Sequence, residues 1–137
     1  MKFITYITHP LLIVTYFLLI LISGESNAGF YCFYILLALP HGGIHAVLGF
    51  AGLGLLIFSY AKYKNTFNYL IESILNISGA LLLIFSLFTF FYNDVDHYNY
   101  GTFNETVPLI ILIIFLLIVV IFLIKNFNKF RSRRIAT

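Results

Sequence analysis

Charge is scarce in this sequence. Charged residues make up 9% of its 137 residues, against roughly 25% in a typical soluble domain, and no stretch of mixed polarity reaches the ~50 residues that a small soluble domain needs. Together these exclude a cytosolic enzyme and a disordered tail. Cysteine occurs once, as Cys32, which excludes an internal disulfide framework and any metal cluster built on several cysteines of one chain. Tryptophan is missing, so an aromatic belt at a membrane surface would have to be made by tyrosine. The sequence also has no Walker-type glycine loop, no nucleophile elbow and no HExxH pair. What it does have is apolar mass: 61% of residues are hydrophobic and 19% aromatic. The implied class is an all-α integral membrane protein.

A spanning helix needs about 20 mostly apolar residues, since roughly 30 Å of hydrocarbon is crossed at 1.5 Å per residue. Four runs qualify, at about 3–22, 30–58, 67–92 and 107–124. Backbone polar groups in lipid must be satisfied within the protein, and runs this long and without alternation suit helices and not barrel strands. Short connections then predict an up-down bundle of four transmembrane helices in a single domain. Ser26-Asn27-Ala28 after the first run is a small-x-small pattern that a signal peptidase could read. That run exceeds a signal h-region of about 7 to 15 residues, so we take it as a retained span.

Charge placement sets the expected orientation. Lys2, Lys62, Lys64, Lys125, Lys129, Arg131, Arg133 and Arg134 all fall on one side of the four spans, while Glu25, Asp94, Asp96 and Glu105 occupy the connections on the other. The positive-inside bias places both termini, and a basic tail over 125–137, in the cytoplasm. Tyr31, Tyr60, Tyr92 and Tyr98 fall at span ends, as expected of interfacial rings. The basic tail would meet anionic headgroups of the lipid bilayer, and no nucleic-acid partner is needed to explain it.

The second span is too long. Phe30 to Tyr60 as one straight helix would extend about 46 Å, so it must tilt, kink or break, and Pro40-His41-Gly42-Gly43 marks the place. A kink in a continuous helix is our expectation; the alternative is a discontinuous helix whose freed amides face the membrane interior. Ala38, Gly42 and Ala46, followed by Gly49, line a small-residue stripe suited to close helix packing.

Intramembrane ionisable groups are costly and therefore informative. His41 and His45, one helical turn apart, can ligate a transition metal, or haem with help from a partner such as His9, or relay protons. The bland reading is that each ring bonds a neighbouring carbonyl. Glu72, the one acid within a span, lies at a depth similar to His9, and we expect either a Glu72–His9 pair or a Glu72 that snorkels to the cytoplasmic surface. Asn76 lies one turn deeper on the Glu72 face. Leu109 to Ile124 has no polar side chain, so the fourth span is expected to face lipid, leaving any site to the first three. Asp94, Asp96 and His97 could hold a cation, but their spacing is loose and common, and a solvated turn is our expectation.

Leu39-Pro40-His41-Gly42-Gly43-Ile44-His45 resembles the Leu-Pro-His-Gly signature of the bacterial Brp/Blh family of carotenoid-cleaving iron oxygenases. The resemblance implies an iron ligand at His41. It departs at the family's following acidic position, which is His45 here, and the third and fourth spans contain no histidine.

Three functions are thus open. The first is a small inner-membrane subunit or accessory protein packing against other membrane subunits or a homo-oligomeric copy. The second is an oligomeric transporter or channel with a polar path through Glu72, His9, Asn76 and His45. The third is a metal- or haem-dependent membrane enzyme or electron carrier using His41 and His45.

Overall fold

The computed structural model describes residues 9–25, 28–63 and 69–134. In chain order the elements are α1 (Pro10–Leu18), β1 (Leu21–Ser23), β2 (Ala28–Phe30), α2 (Tyr31–Ala38) with a 3-10 turn over Leu39–His41, α3 (Ile44–Tyr63), α4 (Tyr69–Tyr92), the single turn α5 (Gly101–Asn104) and α6 (Thr106–Arg134). Among the described residues three helical stretches are long and apolar enough to cross a membrane: Ile44–Lys62, Leu70–Tyr92 and Thr106–Ser132.

The expected first span is not one helix. Residues 3–8 lie outside the described residues, and α1 covers only nine residues, about 13 Å. It starts where Pro10 presets helical φ and His9 Nδ1 accepts the Leu11 amide at 3.3 Å. It stops at Leu18, and the next apolar residues turn extended. Leu21 pairs with Phe30 and Ser23 with Ala28 in an antiparallel hairpin, closed at its base by the Tyr31 amide on the Ile20 carbonyl at 2.7 Å. The expectation of helix through Ile22 is thereby corrected: an apolar run of this kind suits a strand as well as a helix, and here the hairpin supplies its hydrogen bonds.

The second span is broken, not kinked. Gly42 adopts a left-handed conformation, φ 69°, which only glycine visits without strain. Its amide bonds the Leu39 carbonyl at 3.1 Å and the Gly43 amide reaches the Ala38 carbonyl at 3.0 Å, the paired bonds of a Schellman cap. The cap satisfies the last carbonyls of one helix, and α3 begins afresh at Ile44. The excess length inferred from the sequence is resolved by two helices in place of one.

The third and fourth spans match their expected positions, with a difference in length. α4 has 24 residues, about 36 Å. α6 has 29, about 43 Å, so Lys125 to Arg134 continues the helix instead of forming a separate tail. α3 and α4 cross very closely. A Cβ built on Gly52 would lie 2.9 Å from the Gly79 carbonyl oxygen, and one on Gly79 would lie 3.1 Å from that of Gly52. The core fills the space between these helices and α1 with Ile13, Phe17, Tyr31, Leu56, Leu83, Phe115 and Phe122, all fully buried. Phe17 touches Tyr31 edge-on and Phe115 at a tilt, with centroids 5.3 and 5.8 Å apart.

The charges separate to opposite ends. At one end the hairpin meets the loop between α4 and α6: the Glu25 amide bonds the Tyr98 carbonyl at 2.9 Å, the Ser23 amide bonds Thr102 Oγ1 at 2.9 Å, and Ser23 Oγ donates to Glu105. At the other end Lys129 bonds Glu72, Lys62 stands over the Phe58 ring, and His9 lies edge-on to Tyr60.

Candidate functional site

The polar residues within the helices form two clusters, one toward each end. The cationic-end cluster lies in the seam between α4 and α6. Glu72 is in the first turn of α4 and Asn76 one turn on, so both share a face. On α6, Asn126 and Lys129 are three residues apart and meet them. Asn76 Nδ2 donates to Asn126 Oδ1 at 3.1 Å, and Asn126 Nδ2 donates to the Phe122 carbonyl at 2.9 Å. Lys129 Nζ bonds Glu72 Oε2 at 2.6 Å, both side chains being partly exposed. Asn76 Oδ1 is buried without a partner.

One expectation is corrected here. Glu72 pairs with Lys129 and not with His9, which instead caps α1 and packs on Tyr60. His9 contacts Tyr60, next to Ser59, whose Oγ is 3.5 Å from the Glu72 carbonyl. α6, which contains the expected fourth span, moreover takes part in the polar cluster: beyond Ile124 it supplies Asn126 and Lys129. These two were missed because they follow Ile124 and were counted with the basic tail. Their three-residue spacing was the signal.

The second cluster joins α2, α3 and α4. Ser86 Oγ donates to the His45 carbonyl at 2.6 Å and accepts from Tyr31 OH at 2.9 Å, while Tyr31 OH also reaches the Ser86 carbonyl at 3.1 Å. Tyr31 is fully buried, a correction to its expected place in an interfacial belt. The His45 ring lies edge-on to Phe90, centroids 5.3 Å apart.

His41 and His45 fall on opposite sides of the helix break. His41 lies before the break, exposed, with Nδ1 3.0 Å from the Leu37 carbonyl; His45 lies after it. Continuous helical phase no longer relates them. His9, beside Tyr60, is 15 positions along α3 from His45, about 22 Å of helix. Among the described residues no three His, Cys, Asp or Glu side chains gather as a metal site.

The small-residue stripe also divides at the break. Gly42 is exposed and a Cβ there would meet nothing within 4 Å, so it caps a helix and does not pack. Ala46 is fully buried, and Gly49 approaches Ser86 and Ile35. Ala38 sits beside Gly43 across the cap. The packing that does form is within the chain, and Gly52 extends it. In the loop between α4 and α5 Asp94 closes a turn: its two oxygens accept the Tyr98 and Asn99 amides at 3.2 and 2.8 Å.

Fold and clusters together define a mostly helical protein with three stretches, among the described residues, suited to crossing a membrane. Comparison with protein-family models, with curated proteins and with solved structures finds no match to this chain. The short resemblance over Leu39–His45 rests on those residues alone.

Proposed function

We propose that this chain is a small multi-pass subunit or accessory protein of the inner membrane, surrounded by lipid, which docks through its apolar outer surface onto other membrane helices, either of a second copy or of another subunit. The observation that carries this reading is how the interior polar groups are used. Asn76 and Asn126, Glu72 and Lys129, and Tyr31, Ser86 and the His45 carbonyl bond one another within the chain. What the long helices turn outward is chiefly hydrocarbon, with Val107, Ile110, Leu117, Val120 and Ile124 of α6 all about half exposed.

In this reading both termini are cytoplasmic and the chain crosses four times. Residues 9–23 would be the unusual crossing, running as helix and then strand from beside Tyr60 at the cationic end to Thr102 at the acidic end. About 13 Å of helical rise over α1 and 10 Å of strand over β1, with Leu19 and Ile20 between them, cover most of a ~30 Å hydrocarbon core.

Crosslinking after purification in mild detergent tests the proposal. A complex or oligomer well above the 15.7 kDa chain is expected, and a strictly monomeric particle without partners would overturn it.

A further inference from the structure

The flank of the α4–α6 seam carries an open apolar groove of about 460 Å³, lined by Ile77 and Leu81 of α4 and by Leu123, Ile124, Phe127 and Asn128 of α6. Its α6 wall follows one helical stripe. Ile124, Phe127 and Asn128 stand at i, i+3 and i+4, and the next position on that stripe is Arg131, which is exposed. Side chains on a helix tilt toward its N-terminus, and Arg131 stands on the stripe just beyond Asn128, within reach of that end of the groove. Lys129, its neighbour, is bonded to Glu72.

We propose that this groove binds one anionic glycerophospholipid, with an acyl chain along Ile77, Leu81 and Ile124 and the phosphate between Arg131 and the Asn128 amide. Charge complementarity selects this occupant. The apolar trough ends at the cationic end of the molecule, where Lys125, Lys129 and Arg131 lie within seven residues of α6, matching a ligand that is hydrocarbon at one end and phosphate at the other. A guanidinium binds phosphate in two-pronged fashion. A zwitterionic lipid would bring a second cation to the same surface and lose that advantage.

The test is lipid retention by native mass spectrometry after reconstitution in equal amounts of phosphatidylglycerol and phosphatidylcholine. One basic contact near a membrane surface is worth about 1 kcal/mol, so about fivefold enrichment of phosphatidylglycerol is expected. Arg131→Gln should bring the ratio near one. Leu81→Trp should fill the groove and reduce retention of both lipids without changing charge, whereas Ile57→Trp, on the exposed side of α3, should change neither. Excess soluble glycerophosphoglycerol should displace nothing. The proposal is overturned if the wild type shows no preference or if Arg131→Gln keeps it. It is equally overturned if Leu81→Trp retains lipid normally, or if the soluble headgroup competes, which would make free phosphate compounds the ligand.

Discussion

Asn76 and Asn126 join α4 to α6 through one amide hydrogen bond of 3.1 Å, and the two partners are unequally secured. Asn126 also donates to the Phe122 carbonyl, whereas the Asn76 side-chain oxygen Oδ1 is buried with no partner. Asn76 therefore depends on Asn126 more than the reverse.

That asymmetry predicts an order of stabilities. Asn126→Leu strands the whole Asn76 amide in an apolar seam, and leaving a buried polar group unsatisfied costs about 1–3 kcal/mol. Asn76→Leu removes the orphaned oxygen together with the bond, and Asn126 keeps Phe122; the loss should be nearer the ~0.6 kcal/mol average for side-chain bonds between membrane helices. The double Leu variant should lose less than the sum of the two singles. Thermal unfolding in a single detergent checks this, and equal losses for both singles would contradict it.

The closest helix crossing gives a second prediction, because two glycines on α3 differ only in what faces them. Gly52→Ala would push a methyl group to within 2.9 Å of the Gly79 carbonyl oxygen, while Gly54→Ala meets nothing within 4 Å. Alanine is favoured over glycine within a helix by about 1 kcal/mol. Gly54→Ala should therefore be neutral or raise the melting temperature. Gly52→Ala should lower it despite the same gain in helix propensity, since backbone must move and overpacking costs about 1–3 kcal/mol. Melting curves of the two variants in parallel decide the matter.

Much of this architecture is legible in the sequence, and the rest is not for identifiable reasons. The long apolar runs locate α4 and most of α6, because in lipid a helix is the economical way to satisfy 20 or more consecutive backbone groups. The placement of Glu25 and Glu105 opposite Lys62 and Lys129 matches the two ends at which the structure assembles them. Hydropathy is silent, however, on whether Leu21 and Ile22 continue a helix or enter a strand, because both suit an apolar residue. The sequence marks Pro40 to Gly43 as the place of a kink or break, and Gly42, through its positive φ, is the residue that ends the helix. The bond from Asn76 to Asn126 spans 50 residues of chain and could be anticipated only by following the stripe of α6 beyond the last isoleucine into its basic end.

The cap at Gly42 supports a third prediction, on the junction that separates His41 from His45. With φ at 69°, a side chain at this position is strained although the space around it is empty. The penalty thus comes from the backbone alone and should follow the left-handed preference of the residue, not its size. Gly42→Asn should be mild, Gly42→Ala should cost about 1 kcal/mol, and β-branched Gly42→Val should cost more. If the three variants melted alike, the helix break would not depend on a left-handed residue. If Ala and Val raised stability, the chain would be adopting the continuous helix that Pro40 alone would permit, with His41 and His45 restored to one face. Circular dichroism on the same samples separates these cases, because closing the break adds helical signal and straining it does not.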